Sequence, residues 1–264
     1  MKIAYLGPVG SHSSIALKNM CPNDEGVPYP NFREEVKAVL RGEVDACILP
    51  IENTLQGGVL QNLDLLQAYP LIAVEEYTLR IVHKLIYRRG TKLKDIKRIY
   101  SHEQAIGQCS DFLLEVVPQA EVIAVESTAK GVSMISSATD AGIGSELLVT
   151  DGLDAYAGEI ANEPNNFTHF LLVVPEEEGK FRHSERVFLV AVCPNRPGSL
   201  VGLLEIISKA GLDMTKIESR PIKQNPGTYS FFIEFKGDYL SETVQKVVAD
   251  MRDYCLGLKI IGTY

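Results

Sequence analysis

The chain has 264 residues, 45% of them hydrophobic and 23% charged, a composition that suits a globular protein with one large domain or two ordinary ones. Its formal net charge of −8 argues against nucleic acid as a partner, because phosphate binding needs a basic face. The apolar runs are shorter than the roughly eighteen residues of a membrane-spanning helix, so no membrane partner is expected.

The cysteines and the first residues predict a reducing compartment. Five cysteines are scattered without C-x-x-C spacing, at Cys21, Cys47, Cys109, Cys193 and Cys255. This pattern favours free thiols over a disulfide framework or a zinc site, so we expect a cytoplasmic protein without a metal. Because residues 1–6 run straight into a strand pattern, we expect no signal peptide.

The first part of the chain alternates strand and helix patterns. An apolar run at residues 3–6 predicts a strand, and Gly7 and Pro8 end it before serines that can cap a helix. A strand, a small-residue loop and a helix start can form a seat for an anion, although the same residues often only turn the chain. We then predict a loop, a helix, a buried strand and a helix, at residues 22–30, 32–41, 44–50 and 60–66.

A first polar cluster, Glu52-Asn53-Thr54, follows the buried strand. In a structural interpretation, Asn53 or Thr54 caps the next helix and Glu52 is solvated. In a functional interpretation, the three side chains direct donors and acceptors into a cleft. The local sequence does not choose between the two.

The next segment predicts a second set of strands with helices between them. Strand patterns occur at residues 71–74, 79–87, 98–100, 122–125 and 141–144. The second of these is expected to cross into a new lobe. Ser101 is expected to cap the helix that follows the third strand. His102 is its neighbour, but adjacency in sequence gives little support for a hydrolase triad.

A second polar cluster, Asn165-Asn166-Phe167-Thr168-His169, lies between a helix-like run that ends near residue 160 and an apolar strand at residues 170–174. Short polar side chains at a strand entrance usually make turns. They can also line a crevice at the end of a sheet, where open α/β folds bind ligands. We therefore treat this cluster as the centre of a candidate site.

These patterns predict the domain organisation. Strands that alternate with helices favour parallel sheets, and the changes near residues 80 and 160 favour two α/β lobes with a cleft between them. We expect a first domain at residues 1–178, with lobe one at about 1–79 and 160–178 and lobe two at about 80–159. After a charged linker, residues 186–264 read as a separate module with the βαββαβ order of a ferredoxin-like domain, including a turn at residues 224–227.

Several motifs, in this order, resemble those of the prephenate dehydratase family, and the resemblance covers nearly the whole chain. Pro50-Ile51-Glu52-Asn53 is similar to the start of its P-I-E-N-S-x-x-G segment, and Ser101-His102 with Gln104 and Gln108 is similar to its S-H-P-Q-A-x-x-Q-C helix start. Asn166-Phe167-Thr168-His169-Phe170 stands where the family has N-x-T-R-F. Pro197-Gly198-Ser199-Leu200 and Glu218-Ser219-Arg220-Pro221 resemble the G-A-L-V and E-S-R-P motifs of a phenylalanine-binding ACT domain.

The resemblance implies a two-lobed α/β catalytic domain like that of periplasmic binding proteins, followed by an α+β ferredoxin-like ACT domain. It implies decarboxylative dehydration of prephenate to phenylpyruvate, a step of L-phenylalanine biosynthesis. Because formation of an aromatic ring drives this reaction, no cofactor and no metal are expected. Hydroxide is a poor leaving group, so a proton donor should lie near it.

The resemblance also implies which residues form the sites. Thr168 is expected to donate a hydrogen bond to the leaving hydroxyl. The other expected catalytic residues are Glu52, Asn53, Ser101 and Gln108. Further substrate-binding residues are expected at Thr54, Gln104, Asn166, His169 and Phe170. L-Phenylalanine is expected to bind as an allosteric effector at Asn195, Pro197, Gly198, Ser199, Leu200, Glu218, Ser219, Arg220 and Pro221. In this family the effector lies between ACT domains of different subunits, which implies a homodimer or homotetramer.

Two departures from the family pattern bear on activity. Ser11-His12 stands where the family usually has Thr followed by an aromatic residue. His169 replaces an Arg, and a neutral imidazole cannot grip a carboxylate bidentately as a guanidinium can. On a strand, however, residue 169 points away from residues 168 and 170, so the family's Arg can be a structural anchor.

Two alternatives to the dehydratase therefore stay open. The changed motif at His169 gives some weight to a prephenate decarboxylase that retains the hydroxyl. Two-lobed α/β clefts also serve binding proteins, so a non-catalytic amino-acid sensor is the third possibility. Thr168 and the ACT-like motifs count against the decarboxylase, and the intact set of polar residues counts against the sensor.

Overall fold

The computed structural model describes residues 1–181, 183–222 and 227–264, and within them the chain forms two lobes and a C-terminal domain. Lobe one begins with β1 (Lys2–Leu6), α1 (His12–Met20), β2 (Glu25–Tyr29), α2 (Phe32–Leu40), β3 (Ala46–Asn53), β4 (Gly57–Gly58), α3 (Leu60–Ala68) and β5 (Leu71–Arg80). Lobe two contains β6 (Lys84–Arg88), β7 (Arg98–Ser101), α4 (Glu103–Gln108), α5 (Ser110–Val116), β8 (Glu121–Ala124), α6 (Thr128–Ser133), β9 (Asp140–Gly144) and β10 (Leu153–Ala155). The chain returns to lobe one through β11 (Phe167–Pro175). The C-terminal domain contains β12 (Arg186–Val192), α7 (Ser199–Lys209), β13 (Met214–Pro221), β14 (Tyr229–Lys236), α8 (Glu242–Tyr254) and β15 (Gly257–Thr263).

Local sequence explains most helix starts in lobe one. Ser11 caps α1 by accepting a hydrogen bond from the backbone N–H of Ser14, and Asn31 caps α2 in the same way. The prediction of a loop at residues 22–30 was wrong, because this segment contains β2. Pro28 lies inside that strand, which is tolerated because β2 is at the edge of the sheet and pairs only with β1.

Both sheets are mixed, so the prediction of parallel sheets was only partly right. In lobe one, β1 pairs in parallel with β2 and β3, whereas β11 runs antiparallel between β3 and β5. In lobe two the strand order is β10-β6-β9-β7-β8, with antiparallel pairs at the β10 end and parallel pairs at the β8 end. The antiparallel strands are those next to the two crossings between the lobes.

Three predicted boundaries were wrong near those crossings. The strands predicted at residues 71–74 and 79–87 are one strand, β5, which ends at Arg80, and a second, β6, which begins at Lys84. Glu75 and Glu76 break the apolar pattern, but their backbones pair with β11. The helix-like run near residue 160 contains no helix. The cap of α4 is His102, since Ser101 still belongs to β7.

The C-terminal domain has the predicted βαββαβ order, with strands arranged β13-β14-β12-β15. Both helices pack on one face of this sheet, where Val187, Leu189, Leu203, Ile233 and Met251 share a core. Residues 224–226 of the predicted turn lie outside the described residues.

The C-terminal domain is joined to lobe one more closely than the prediction of a separate module implied. β15 pairs in parallel with β5 at Gly262 and Ala73, so the described strands of both parts form one ten-stranded sheet. A side chain at Gly262 would collide with Ala73, because an added Cβ would lie 2.9 Å from its carbonyl oxygen. The second face of the C-terminal sheet, including Phe188 and Phe232, packs into the core of lobe one against Leu63 of α3.

Polar contacts from the C-terminal domain also reach lobe one. Lys216 Nζ donates to Glu52 Oε2 at 2.6 Å, and Lys259 Nζ donates to the carbonyl oxygen of Leu66 at 2.7 Å. Arg220 grips Asp64 with two hydrogen bonds of 2.9 and 2.7 Å. These contacts surround α3, so any shift of the C-terminal sheet would move the helix that follows the first polar cluster.

No helix among the described residues has the length and apolar character needed to cross a membrane.

Glu35 of α2 gives the fold a pH dependence. The residue is 0% exposed and neither carboxyl oxygen has a hydrogen-bond partner. Burial raises the pKa of this carboxyl from 4.5 to about 9, so the folded protein holds a proton that the unfolded chain releases. Folding stability therefore falls as pH rises through this window, because the folded state binds more protons there.

We expect Glu35→Gln to remove that dependence, since the amide has nearly the same shape and does not ionise. At pH 8 the free energy of unfolding of the variant should exceed that of the unsubstituted protein by at least about 1 kcal/mol, and the difference should shrink towards pH 5. Urea unfolding followed by circular dichroism at a series of pH values measures this. Parallel pH curves for the two proteins would contradict it.

Candidate functional site

A cleft of about 450 Å³ lies between the two lobes, and the two polar clusters of the sequence meet in its wall. Asn53 comes from the end of β3, Thr168 comes from the start of β11, and Asn166 is the residue just before β11. Gln108 reaches the same cleft from the last turn of α4 in lobe two. The wall therefore combines side chains that are distant in sequence and come from both lobes.

The pairing of β3 with β11 sets the geometry of the site. Thr168 lies directly opposite Asn53 in the antiparallel ladder, and a register shift follows between His169 and Phe170. Thr168 and Phe170 both line the cleft, as expected for residues two apart on a strand. Phe170 is only 1% exposed and belongs to a buried cluster of lobe one, so the start of β11 is held firmly by its own core residues.

The amide of Asn53 has a defined orientation. Its Oδ1 accepts hydrogen bonds from the backbone N–H groups of Leu55 and Gln56, at 3.0 and 3.2 Å. Because these backbone groups can only donate, the Nδ2 atom must point the other way. It lies 2.7 Å from Asn166 Oδ1 and 2.9 Å from Thr168 Oγ1. Asn53 thus ties Asn166 and Thr168 to the backbone of the first cluster.

The fixed orientation of Asn53 also determines the orientation of Gln108 in lobe two. With its Oδ1 occupied by Asn53, Asn166 donates from Nδ2 to Gln108 Oε1 at 3.2 Å. His83, in the crossing between β5 and β6, has Nε2 at 2.7 Å from the same oxygen. Two donors therefore meet at Gln108 Oε1, and the amide nitrogen of Gln108 is turned away from them.

The network leaves donors free for a ligand. Thr168 Oγ1 accepts from Asn53, so the hydroxyl hydrogen of Thr168 is available to a group in the cleft. The amide hydrogens of Gln108 are available for the same reason. A wall that offers hydrogen-bond donors suits a ligand with carboxylate or hydroxyl oxygens, because each such oxygen is an acceptor.

The start of α1 gives the cleft one place that favours an anion, and the lining also includes the carboxyl side chain of Glu126. The described lining contains no Lys and no Arg. Ser11, His12 and Ser13, at the start of α1, line one end, where free N–H groups and the helix dipole favour negative charge. Burial, with a contribution from nearby His83, lowers the pKa of His12 to about 4, so this imidazole is neutral at physiological pH.

Four expected catalytic or substrate-binding residues lie outside the cleft lining: Ser101, Glu52, Thr54 and His169. Ser101 is fully buried and donates to the carbonyl oxygen of Ile143 at 2.7 Å, which ties β7 to β9. Glu52 points to the C-terminal domain and pairs with Lys216. Thr54 is exposed and connects the two polar clusters, since its Oγ1 accepts a hydrogen bond from the backbone N–H of Phe167 at 2.9 Å.

His169 also lies outside the lining, whereas Gln104 and Phe170 belong to it. The His169 ring faces β5, with Nδ1 2.9 Å from Glu76 Oε1 and 3.0 Å from Thr78 Oγ1. Glu76 in turn lies 3.9 Å from Arg186 of the C-terminal domain. The residue that differs from the family pattern therefore contacts the scaffold, on the opposite side of β11 from Thr168.

Six polar residues of the cleft lining were not predicted from the sequence: Gln56, His83, His102, Glu126, Ser127 and Thr128. His83 was assigned to the interior of a continuous strand. A histidine between two apolar runs at a lobe crossing was the available signal. The position became informative only when the structure showed that β5 ends at Arg80.

A second, smaller pocket of about 210 Å³ lies in the C-terminal domain at the start of α7. Asn195, Gly198, Ser199 and Leu200 line it, whereas Pro197 does not. Ser199 Oγ is buried without a hydrogen-bond partner. Gly198, the residue before α7, has a φ of 82°, a left-handed conformation that favours glycine.

The motif Glu218-Ser219-Arg220-Pro221 on β13 is divided between two faces. Arg220 and Lys216 face lobe one, and the carboxylate of Glu218 lies beside Gly58 there. Ser219 and Pro221 pair with Phe231 and Tyr229, which belong to the small pocket, so they share its face of the sheet. None of the four motif residues lines that pocket in a single chain.

Across the described ranges 1–181, 183–222 and 227–264, no cluster of three or more His, Cys, Asp or Glu side chains is arranged to hold a metal ion.

Comparison with known proteins agrees with this architecture. The family model for prephenate dehydratase matches residues 3–178, and the model for the ACT domain matches residues 187–246. A bifunctional chorismate mutase/prephenate dehydratase of Neisseria gonorrhoeae is 34% identical over all of this chain and 74% of its own length. A prephenate dehydratase of Amycolatopsis methanolica is 33% identical, over all of this chain and 88% of its own.

Solved structures have the same fold. The prephenate dehydratase of Arthrobacter aurescens, solved in complex with L-Phe, superposes with a TM-score of 0.90 at 29% identity, covering 100% of this chain and 89% of that one. The chain therefore belongs to the prephenate dehydratase family and carries an ACT domain after its two-lobed domain.

Proposed function

We propose that this chain is a prephenate dehydratase that converts prephenate to phenylpyruvate in L-phenylalanine biosynthesis and is controlled by L-phenylalanine. Family membership supports the activity. The observation that carries the proposal for the site is the Thr168 hydroxyl, whose oxygen accepts from Asn53 at 2.9 Å and whose hydrogen is free for a ligand. We assign the chemistry to residues 1–178 and the control to residues 186–264.

The reaction needs a donor at one oxygen. The bond between the ring carbon and its carboxylate breaks, CO2 leaves, and the electron pair completes the aromatic ring. The bond between the opposite ring carbon and its hydroxyl also breaks, and the departing oxygen takes up a proton, supplied in net terms by the solvent, to leave as water. Thr168 is suited to donate a hydrogen bond to that oxygen, because Asn53 fixes the position of its Oγ1.

The remaining polar residues divide into groups that touch the substrate and groups that hold them. Gln108 and Gln104 supply amides on the lobe-two side of the cleft. Asn53 and Asn166 orient Thr168 and Gln108, and Ser101 supports the strand that precedes α4. The two substrate carboxylates are balanced by the start of α1 and by neutral donors, since the described lining contains no Lys and no Arg.

The geometry also bears on the two alternative functions. A decarboxylase that retains the hydroxyl has no use for a donor at Thr168, and the His169 substitution that suggested it lies on the opposite side of β11. A sensor without chemistry would also hold its ligand with oriented amides, so family membership, and not the amide network, counts against it. Neither alternative gains support from a specific contact.

L-Phenylalanine is proposed to act through β13. The small pocket at the start of α7 offers Ser199 Oγ and the helix N–H groups to an amino acid. The same sheet contacts lobe one through Lys216 and Glu52, one residue from Asn53. An effector that favours one position of β13 would change the population of active clefts.

We further propose a homodimer or homotetramer in the cytoplasm. Near the small pocket, Val201, Ile217 and Tyr229 are exposed, at 60%, 41% and 45%. A second copy that covers these side chains would enclose an effector more fully than one chain does. All five cysteines are free thiols, which suits a reducing compartment.

Thr168→Val tests the reaction directly, because it keeps the shape of the side chain and removes the donor. We expect kcat to fall by about 10²- to 10⁴-fold with little change in KM, whereas Thr168→Ser should keep kcat within about tenfold. Phenylpyruvate formation from prephenate is followed by its absorbance in alkali. Prephenate consumed without phenylpyruvate would favour the decarboxylase, and no consumption by the unsubstituted protein would favour the sensor.

Lys216→Met tests the route of control. It breaks the link to Glu52, so inhibition by L-phenylalanine should weaken about fivefold or more while the protein stays folded. Lys236→Met is the matched control, because it removes the same charge from neighbouring β14 and, among the described residues, Lys236 pairs only with Asp213 of its own domain. Equal inhibition of the Lys216→Met variant and the unsubstituted protein would exclude this route.

A further inference from the structure

His83 occupies an unusual position for a histidine that only fills space. It lies in the crossing between β5 and β6, next to the cleft, and is 3% exposed. Its Nδ1 atom is buried and has no hydrogen-bond partner in the part of the chain that the structure describes. An unpaired buried polar atom lowers stability, and an apolar residue of similar size would avoid that cost. The contact made by the other ring nitrogen, Nε2, must therefore explain why a histidine occupies this position.

The Nε2 atom has a strong contact. It lies 2.7 Å from Gln108 Oε1, which also accepts from Asn166 Nδ2 at 3.2 Å. The orientation of Gln108 follows from the backbone N–H groups that fix Asn53, and through Asn53 from Asn166. Since Gln108 Oε1 can only accept, His83 carries its hydrogen on Nε2. Burial lowers the pKa of His83, so the ring donates this hydrogen as a neutral imidazole.

The contact also joins parts of the molecule that could otherwise move separately. Gln108 belongs to lobe two, Asn166 leads into β11 of lobe one, and His83 lies in the segment between the lobes. Without His83, Gln108 would be held by one hydrogen bond of 3.2 Å. Its amide could then rotate, and the amide hydrogens would no longer point steadily into the cleft.

We propose that His83 is a positioning residue of the reaction, whose Nε2–H group holds Gln108 so that the Gln108 amide donates to an acceptor oxygen of the substrate. This role rests on the proposed function, since it names a further residue of the same site. His83 acts through Gln108 and does not itself supply a proton. The His12 ring packs beside the His83 ring, with centroids 6.0 Å apart, and helps to exclude water from it.

The kinetic test uses His83→Leu, His83→Gln and Gln108→Ala, with prephenate as substrate. His83→Leu should lower kcat by about 10- to 100-fold, the usual effect of losing a residue that orients a ligand-contacting group. His83→Gln should restore kcat to within about threefold, because its amide nitrogen can occupy the place of Nε2. In a Gln108→Ala background, His83→Leu should have no further effect beyond about twofold.

Two kinetic outcomes would overturn the proposal. One is a His83→Leu variant with unchanged kcat. The other is a double variant in which the losses of His83 and Gln108 multiply, because His83 would then act independently of Gln108. If His83→Leu and His83→Gln lowered kcat equally and both lowered the thermal midpoint, His83 would have only a general structural role. That result would also reject the proposal.

A spectroscopic test separates this inference from the proposed function. In ¹⁵N-labelled protein, the His83 ring should show the neutral tautomer with hydrogen on Nε2, and the Gln108 amide signals should shift in His83→Leu and return in His83→Gln. Hydrogen on Nδ1, or Gln108 signals that ignore His83, would refute the contact. If the unsubstituted protein made no phenylpyruvate, the proposed function would fail while these signals would still decide whether His83 holds Gln108.

Discussion

The antiparallel pairing of β11 with β3 is the constraint on which the site depends. It brings Asn53 and Thr168 into contact although 115 residues separate them in sequence. The pairing is held in register by the residues that follow: Phe170 and Leu171 are 1% and 0% exposed, on opposite faces of the strand. A slip of one residue would move Phe170 and Leu171 into each other's cores and turn Thr168 away from the cleft, so the packing on both faces of β11 protects the geometry of the site.

A network of hydrogen bonds connects the paired strands to lobe two, and the donor and acceptor at each bond fix the orientation of the next side chain. Backbone N–H groups after β3 orient Asn53, which orients Asn166, which with His83 orients Gln108. Every step is decided by the fact that an amide oxygen only accepts and an amide nitrogen only donates. A cleft built in this way presents donors to an acidic ligand without burying a lysine or arginine, which would need a charged partner in the absence of substrate.

Control and chemistry share one structural element. The sheet of the C-terminal domain supplies Phe188 and Phe232 to the core of lobe one, and its polar side chains hold the middle and the C-terminal end of α3. Successive residues of β13 face the small pocket and lobe one in turn. A shift of the β13 backbone caused by a ligand in the small pocket would therefore also move the side chains that contact lobe one. His169 contributes to the same junction through Glu76 and Arg186, which explains how its substitution can leave the cleft lining unchanged.

The sequence alone was enough to predict the two-lobed α/β fold, the βαββαβ domain, and two polar clusters, since each depends on local periodicity, turn residues and contiguous motifs. It could not predict which of the clustered side chains face the cleft. Ser101 and Glu52 are in motifs, yet one supports a strand and the other binds the C-terminal domain. His83 is in no motif, yet it contacts Gln108. Strand direction, the joined sheet and these orientations depend on contacts between distant segments, and only the tertiary structure brings those segments together.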